Sequence, residues 1–179
     1  MGVNNMIDVP RRADQQSNRE LPTVPGLKNA FSSFPSGVVA LCGMVEGELV
    51  GMSASSFTAV SLDPPLVSVC VDLRSTTWPR LRTATALGVS ILSEDQGALC
   101  RQLSSKSLDR FDGVGLSVSD EGAVFIDDAA TTFECTIDSE VLAGDHLIIL
   151  LAIQALETRL DQVPLVYHSA AFKSLSQAA

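Results

Sequence analysis

The stretch VGMSASSFTAVSLDPPLVSVCVDLRSTT, residues 50–77, decides how the rest of the chain can be arranged. It contains six serines, four of them between Ser53 and Ser61, and three threonines, Thr58, Thr76 and Thr77. Serine and threonine are common at strand ends and turns because their side chains bond the nearby backbone. Here they also stand between two apolar segments typical of strands, where hydroxyls can line a site for a phosphate-bearing ligand. Composition alone favours the ordinary structural interpretation.

The overall composition predicts one globular domain with a partner subunit. A chain of 179 residues is long enough for one well-packed domain. Hydrophobic residues make up 46% of it and charged residues 18%, so we expect an apolar surface covered by a second copy in a homodimer. The net charge of −9, with no basic stripe, argues against nucleic acid as a partner. An anionic ligand would need local donors that overcome the field of the whole chain.

The sequence carries no recognisable targeting or membrane segment. Residues 1–25 contain no apolar core of a signal peptide, and the longest apolar run, residues 147–153, is far shorter than the roughly 20 residues that cross a bilayer. We therefore expect a cytoplasmic protein without a membrane association.

The four cysteines, at positions 42, 70, 100 and 135, form no close pair, which predicts reduced and mostly buried thiols rather than a metal site or a disulfide framework.

The chain divides into a polar arm, residues 1–24, and an ordered domain, residues 25–176. Leu27, Ala30, Phe31 and Phe34 follow the spacing of one helical face, and Pro35 ends that helix. The apolar residues 37–45, a Glu-Gly-Glu turn and residues 49–52 predict a hairpin.

Residues 66–72 alternate, with Val67, Val69 and Val71 on one face of a strand and polar or small side chains on the other. A helix is predicted from Trp78 to about Leu87, where Gly88 stops it. After a strand at 89–92, a capping box over residues 93–96 opens a second helix that runs through residue 103.

The rest of the chain predicts a loop at 104–122 and strands at 131–138 and 146–158, with a last apolar piece at 164–172. Its six or seven strands follow one another through tight turns rather than crossover helices. This order favours a mainly β fold, an antiparallel barrel rather than a doubly wound parallel sheet. The dinucleotide motif GxGxxG is also missing from the sequence.

Few residues carry a clear chemical signal. His146 follows a Gly-Asp turn at the start of a long strand, although a histidine in such a place is more often solvated than catalytic. A serine nucleophile would need GxSxG, which the chain lacks. Arg74 directly precedes Ser75, Thr76 and Thr77 at a predicted helix start, where free N–H groups, hydroxyls and a guanidinium can bind phosphate. The alternative for this segment is a capped helix with an exposed arginine, which the local sequence favours.

The combined order of the motifs resembles the flavin reductase family. The matching pieces are FPSGVVAL, VGMSASSFTAVSLDPPLVSVCVD, VSIL followed by SEDQ, DRFDGV, FECTID, AGDH and PLVYH, which span roughly residues 27–175. The resemblance implies a split antiparallel β-barrel that binds FMN, with Greek-key-like order, a few short helices and a homodimeric assembly.

The same resemblance implies a site. The segment matching Met52 to Ser56 would line the isoalloxazine ring, the segment matching Leu73 to Thr77 would hold the phosphate, and His146 would lie where the nicotinamide approaches. The complete set of cofactor-binding residues expected is Met52, Ser53, Ala54, Ser55, Ser56, Ser61, Asp72, Leu73, Arg74, Ser75, Thr76 and Thr77. His146 is the expected catalytic residue, in the sense of orienting the nicotinamide, and no metal is expected.

The function implied by the resemblance is hydride transfer from NADH or NADPH to FMN or FAD, with reduced flavin supplied to a separate oxygenase. The alternatives are a flavin carrier or redox sensor that ignores NAD(P)H, and a barrel that only mediates interactions. An oxidase of a pyridoxamine-type substrate is less favoured, since the basic cluster expected for its phosphate is missing.

Three departures from the family pattern bear on nicotinamide affinity, flavin choice or partner docking. The run LIILLAIQAL replaces a Gly-x-Val after His146, Ser169-Ala170-Ala171 replaces a basic–glycine pair, and LGVSIL lacks the usual aromatic and Asn.

Overall fold

The computed structural model describes residues 21–105 and 109–175. Within these ranges the helices are α1 (Val24–Ser32), α2 (Trp78–Leu81) and α3 (Gly97–Ser104), and a 3-10 turn over Glu94–Gln96 leads into α3. The strands in chain order are β1 (Ser36–Gly37), β2 (Val39–Val45), β3 (Glu48–Ala54), β4 (Thr58–Leu62), β5 (Pro65–Asp72), β6 (Leu87–Ile91), β7 (Leu116–Val118), β8 (Val124–Ile126), β9 (Thr131–Ala143), β10 (His146–Thr158), β11 (Val166–His168) and β12 (Ala171–Lys173).

Seven of these strands form one antiparallel sheet in the order β3-β2-β6-β9-β10-β5-β4. Contacts between β3 and β5 bring opposite parts of this sheet together, so it curls into a barrel that stays open at its edge strands. Two small sheets, β1-β11-β12 and β7-β8, flank it. The fold is therefore the mainly β, split antiparallel barrel that the sequence predicts.

Strand β2 is buried on both faces. Val39 and Leu41 belong to the cluster inside the barrel. Ala40 and Cys42, on the opposite face, pack in a second cluster with residues of α3 and β8, including Leu103 and Val124. The uninterrupted apolar run of this strand follows from its two buried faces, since a strand with one wet face would alternate.

Several sequence predictions are confirmed. Val67, Val69 and Val71 are all buried in the barrel, and the capping box between Ser93 and Gln96 is present. Cys42, Cys100 and Cys135 are buried, Cys70 is half-buried, and all four cysteines are free. Desolvation raises the pKa of the Cys42 and Cys135 thiols to about 12.

Other predictions need correction. A short strand, β7, lies inside the region predicted to be loop, and β9 continues past residue 138 to Ala143 along its partner β10. Helix α1 starts at Val24, so Pro25 is inside its first turn rather than ahead of it. The rest of the predicted N-terminal arm, residues 1–20, lies outside the described residues. None of the described helices has the length and apolar character needed to span a membrane.

The predicted helix from Trp78 to Leu87 is wrong in its length. Helix α2 ends at Leu81, and Gly88 lies inside β6, opposite Cys42 of β2. A Cβ atom at position 88 would lie 2.0 Å from the carbonyl oxygen of Val124. Glycine is therefore required here because the β8 backbone crosses β6 at very close range, and not because a helix ends.

We predict that Gly88→Ala destabilises the protein by about 3 kcal/mol or more, because the clash is with backbone and cannot be relieved by a rotamer change. Thermal and urea denaturation would measure the loss. Gly37→Ala is the matched control, since nothing lies within 4 Å of a Cβ added there. A variant at position 88 as stable as the control would contradict the close packing of β8 on β6.

Candidate functional site

A cavity of about 510 Å³ opens between β3, α3 and the β11–β12 hairpin. We term it the serine cavity. Its lining residues are Val38, Ser53, Ala54, Ser55, Cys100, Arg101, Ser104, Ser105, Tyr167, Ala170, Ala171 and Phe172. It combines hydroxyls, aromatic rings and one guanidinium, which is the mixture typical of a small-molecule site.

The wall of the serine cavity is held together by hydroxyl contacts. The Oγ atoms of Ser53 and Ser104 lie 2.5 Å apart, and both hydroxyls also reach the carbonyl oxygen of Cys100, at 3.3 and 2.8 Å. These bonds join the edge strand β3 to α3. The predicted residues Ser53, Ala54 and Ser55 thus meet at one cavity, with Ser55 exposed to the solvent.

The other predicted residues of this stretch lie elsewhere. The hydroxyl of Ser56 donates to the carbonyl of Cys70 at 3.0 Å and accepts from its N–H at 2.8 Å, so it clamps the turn after β3 onto β5. Met52 packs against the barrel core, and Ser61 is half-buried in β4 opposite Leu66. None of these three residues lines the serine cavity.

At the end of β5, Arg74 is already paired. Its guanidinium donates to both carboxylate oxygens of Asp72, at 3.0 and 2.6 Å, and its backbone N–H donates to the same carboxylate at 2.8 Å. These hydrogen bonds hold the pKa of Asp72 well below its usual range. The Arg74 side chain is 85% exposed, so in this structure its charge faces the solvent and is balanced by Asp72.

The segment after Arg74 leads into α2. The Ser75 hydroxyl accepts from the backbone N–H of Trp78 at 3.1 Å, while Leu73 and Thr76 are exposed. Glu140 of β9 accepts hydrogen bonds from the indole of Trp78 and the guanidinium of Arg82. The predicted phosphate-binding segment is therefore anchored to the barrel through α2.

Arg110 connects this segment to β3. Its Nη1 atom donates to the hydroxyl of Thr77 at 3.1 Å and to the carbonyl of Gly51 at 2.9 Å. Sequence reasoning missed this role, although Arg110 lies inside the quoted motif DRFDGV. A flexible arginine in a Ser- and Gly-rich region gives no local signal of where its side chain binds.

His146 lies at the same end of the barrel as Asp72, because the two residues are opposite each other in the β10–β5 ladder. Its Nδ1 atom is 2.7 Å from Oδ1 of Asp145. The hydrogen bond to His146 lowers the pKa of the Asp145 carboxyl. With Nδ1 donating to Asp145, the Nε2 atom of a neutral ring is an acceptor. His146 is not among the residues that line the serine cavity.

The β11–β12 hairpin closes the other side of the serine cavity. Its two turn residues, Ser169 and Ala170, have φ of 50° and 59°, a left-handed conformation usually taken by Asn and Gly in tight hairpins. The N–H of Ser169 donates to the carbonyl of Ser32 at the end of α1. Sequence reasoning also missed Tyr167 and Phe172 as lining residues, since their apolar pattern predicts only a core strand.

Among the described residues, no group of three or more His, Cys, Asp or Glu side chains is placed to hold a metal ion.

Comparison with known proteins identifies relatives over most of the chain. The family model described as "Flavin reductase like domain" matches residues 31–176. A flavin reductase of Pseudomonas putida is 34% identical over 139 residues, which are 77% of this chain and 82% of the relative. The reductase subunit of a flavin-dependent monooxygenase from Rhodococcus jostii is 26% identical over 79% of this chain and 72% of its own length.

A solved structure shares the same fold. It is an NADH:FAD oxidoreductase of Streptomyces globisporus C-1027, in complex with NAD and FAD fragments. It superposes with a TM-score of 0.81 and is 31% identical in sequence, covering 87% of this chain and 94% of its own.

Proposed function

The chain belongs to the flavin reductase family, and we propose that its serine cavity and the neighbouring 72–77 segment together hold the flavin that it reduces. It is an NAD(P)H-dependent flavin reductase. The observation that carries the assignment of the site is the cavity itself: Ser53, Ala54 and Ser55 reach it from a rigid edge strand, as the family resemblance predicts. When bound, the flavin supplies the hydride acceptor of the reaction.

Polar groups along the cavity wall would stabilise the charge that forms when the flavin is reduced. Reduction adds negative charge to a flavin ring, so hydroxyl and N–H donors placed along β3 stabilise the product more than the oxidised form. The Ser53 hydroxyl is bonded to Ser104 and the Cys100 carbonyl, so its single proton must turn away from these partners before it can donate to a ligand. Met52 and Ser56 hold this strand against the barrel, and Ser61 supports β5 from the edge strand β4.

The phosphate end of the flavin is assigned to Leu73–Thr77. The Ser75 and Thr76 hydroxyls and the backbone of Leu73 lie beside the exposed Arg74, whose pairing with Asp72 must loosen for its guanidinium to reach a phosphate. Arg110 supports this segment by binding Thr77 and Gly51. We expect Arg110 to set the distance between the phosphate end and the ring end of the site.

His146 is proposed to orient the nicotinamide. Asp145 fixes the ring through Nδ1, which leaves the Nε2 edge of the imidazole for a polar group of the incoming nucleotide. The role is positioning, since hydride transfer depends on holding the two reacting atoms within about 3 to 3.5 Å. No proton transfer through His146 is required.

Reduced flavin is the product that a separate oxygenase consumes. The relative from Rhodococcus jostii is such a reductase subunit, and we extend this arrangement to the present chain. We also place the enzyme in the cytoplasm, because its four cysteines are free thiols and unpaired cysteines are typical of a reducing compartment.

A homodimer is proposed from the apolar surface that this chain leaves uncovered. Leu62 and Val60, on the edge strand β4, are 97% and 48% exposed. The apolar face predicted for α1 has no buried residue, and its Phe31 and Phe34 are 69% and 76% exposed. Edge strands and apolar helix faces of this kind are usually covered by another element. A second copy of the chain is the partner that fits both.

The activity is tested by NADH and NADPH oxidation with purified protein, with and without FMN, FAD or riboflavin. We expect oxidation that depends on added flavin and a clear preference for one donor. Flavin binding without oxidation would instead support a carrier or sensor, and neither binding nor oxidation would overturn the proposed site.

For His146 we predict that replacement by alanine raises KM for the nicotinamide nucleotide or lowers kcat, by about tenfold, because one positioning hydrogen bond is lost. Flavin affinity, followed by fluorescence quenching, should stay unchanged. His168→Ala, which removes the other histidine, is the control. Equal kinetic constants in wild type and His146→Ala would remove His146 from the site.

For the dimer we predict that Leu62→Lys shifts the protein towards monomer, because a charge then has to be buried in the interface. Sedimentation velocity at several protein concentrations would measure the shift. Leu160→Lys is the matched control, since Leu160 is 95% exposed but lies outside the edge strand. A wild-type protein that is already monomeric at micromolar concentration would refute the homodimer.

A further inference from the structure

Arg101 supplies the cationic group of the serine cavity. Cys100, Arg101 and Ser104 line the cavity from α3, and Ser104 lies one helical turn after the other two. No other lining residue among those described is a lysine or an arginine. We propose that Arg101 binds a nucleotide phosphate at the serine cavity, a role that rests on the proposed function but extends it to a residue outside the predicted set.

The guanidinium of Arg101 is held by an aromatic platform. Its Cζ atom lies 5.1 Å from the centroid of the Phe172 ring, and that ring packs against Tyr167 with centroids 5.5 Å apart. Phe172 can approach α3 because position 97 is glycine, where an added Cβ would lie 3.0 Å from the ring. Such a platform reduces the conformational freedom of a long side chain before any ligand binds.

The platform leaves the hydrogen-bonding edge of the guanidinium available. The ring lies beside the Cζ atom of the guanidinium, and the group carries five N–H donors in its plane. This edge matches the oxygens of a phosphate, which arginine binds in a bidentate manner.

Within the described residues, Arg101 also differs from three other arginines in having no carboxylate paired with it. Arg74, Arg82 and Arg159 each form an ion pair, with Asp72, Glu140 and Asp128. No ion pair joins Arg101 to a carboxylate within the described ranges. The chain has a net charge of −9, so its overall field repels a nucleotide phosphate. A cation that lines the cavity attracts the phosphate locally and offsets that repulsion.

Either substrate of a flavin reductase could supply the phosphate that Arg101 binds, because flavin nucleotides and nicotinamide dinucleotides both contain phosphate esters. Riboflavin has the same ring as FMN but no phosphate, so it separates the two sources. If Arg101, in place of the Leu73–Thr77 segment, binds the flavin phosphate, its loss affects FMN and FAD and spares riboflavin. If it binds the pyrophosphate of the nicotinamide nucleotide, its loss raises KM for NADH by the same factor with every flavin.

The experiment compares Arg101→Gln, Arg101→Lys and wild type in steady-state kinetics with NADH and riboflavin, FMN or FAD. Removing a charge-assisted hydrogen bond predicts an increase in KM of about tenfold in one of the two patterns. Lysine should restore part of the affinity, since it keeps the charge but loses the planar fork. Phe172→Leu should give the same pattern with a smaller change, because it removes only the platform.

Arg159→Gln is the control for net charge, since it also removes one positive charge but lies outside the serine cavity. Unchanged KM values for NADH and all three flavins in Arg101→Gln would overturn the proposal, as would an equal loss with riboflavin and FMN at constant KM for NADH. Melting temperatures of the variants verify that each is folded.

Equilibrium binding keeps this test separate from the test of catalysis. Fluorescence titrations with riboflavin and FMN, and calorimetry with NAD⁺, measure phosphate binding even in a protein that oxidises no NADH. An inactive wild type whose affinity for FMN or NAD⁺ falls in Arg101→Gln would contradict the reductase assignment and support the phosphate role. Equal affinities in both proteins would overturn the phosphate role whatever the activity.

Discussion

Strand β2 packs two different layers, one on each of its faces, and the rest of the structure depends on this arrangement. Val39 and Leu41 fill the barrel, while Ala40 and Cys42 contact the layer that contains α3 and β8. Ala40 and Cys42 are small side chains, so that layer can approach closely at these two positions. Because β3 pairs with β2, burying α3 against β2 also brings α3 beside β3. The serine cavity therefore lies where the layer packed on β2 meets the edge strand β3.

The electrostatics of the site follow from a strongly acidic chain that must bind acidic nucleotides. Uncharged hydroxyls line much of the candidate site, as with Ser53, Ser55 and Ser104, and they contribute dipoles without adding a mobile charge. Arg74 is balanced by Asp72, and Arg110 binds Thr77 and the β3 backbone. Arg74 is thus paired with a carboxylate, whereas Arg110 is bound to a hydroxyl and a backbone carbonyl. Composition alone counts the two charges equally.

Two departures from the family pattern have clear places in the structure. The apolar run after His146 forms β10, whose Ile149 and Leu151 are completely buried in the barrel. The residues Ser169 and Ala170 occupy left-handed positions in the hairpin that closes the serine cavity. A non-glycine residue in that conformation carries a cost of about 1 to 2 kcal/mol. The hairpin next to the cavity is thus built with less favourable turn residues than Asn and Gly, and the two turn positions, 169 and 170, carry no basic residue.

The sequence by itself determined the features that depend on neighbouring residues. The alternation of Val67, Val69 and Val71 predicted a strand with one buried face, the Ser93–Gln96 spacing predicted a helix start, and the order of motifs predicted the barrel and its hydroxyl-rich stretch. Such patterns are readable because period and capping are set within a few residues.

Only the tertiary structure decided the features that join distant segments. It placed Gly88 against the backbone of Val124, shortened α2, left the apolar face of α1 uncovered, and brought Arg101 onto Phe172. No local pattern encodes these contacts, because each depends on how two separate elements pack in space. The cavity and its cation arise in the same way, from the packing of α3 and a hairpin around the strand that the sequence had already identified.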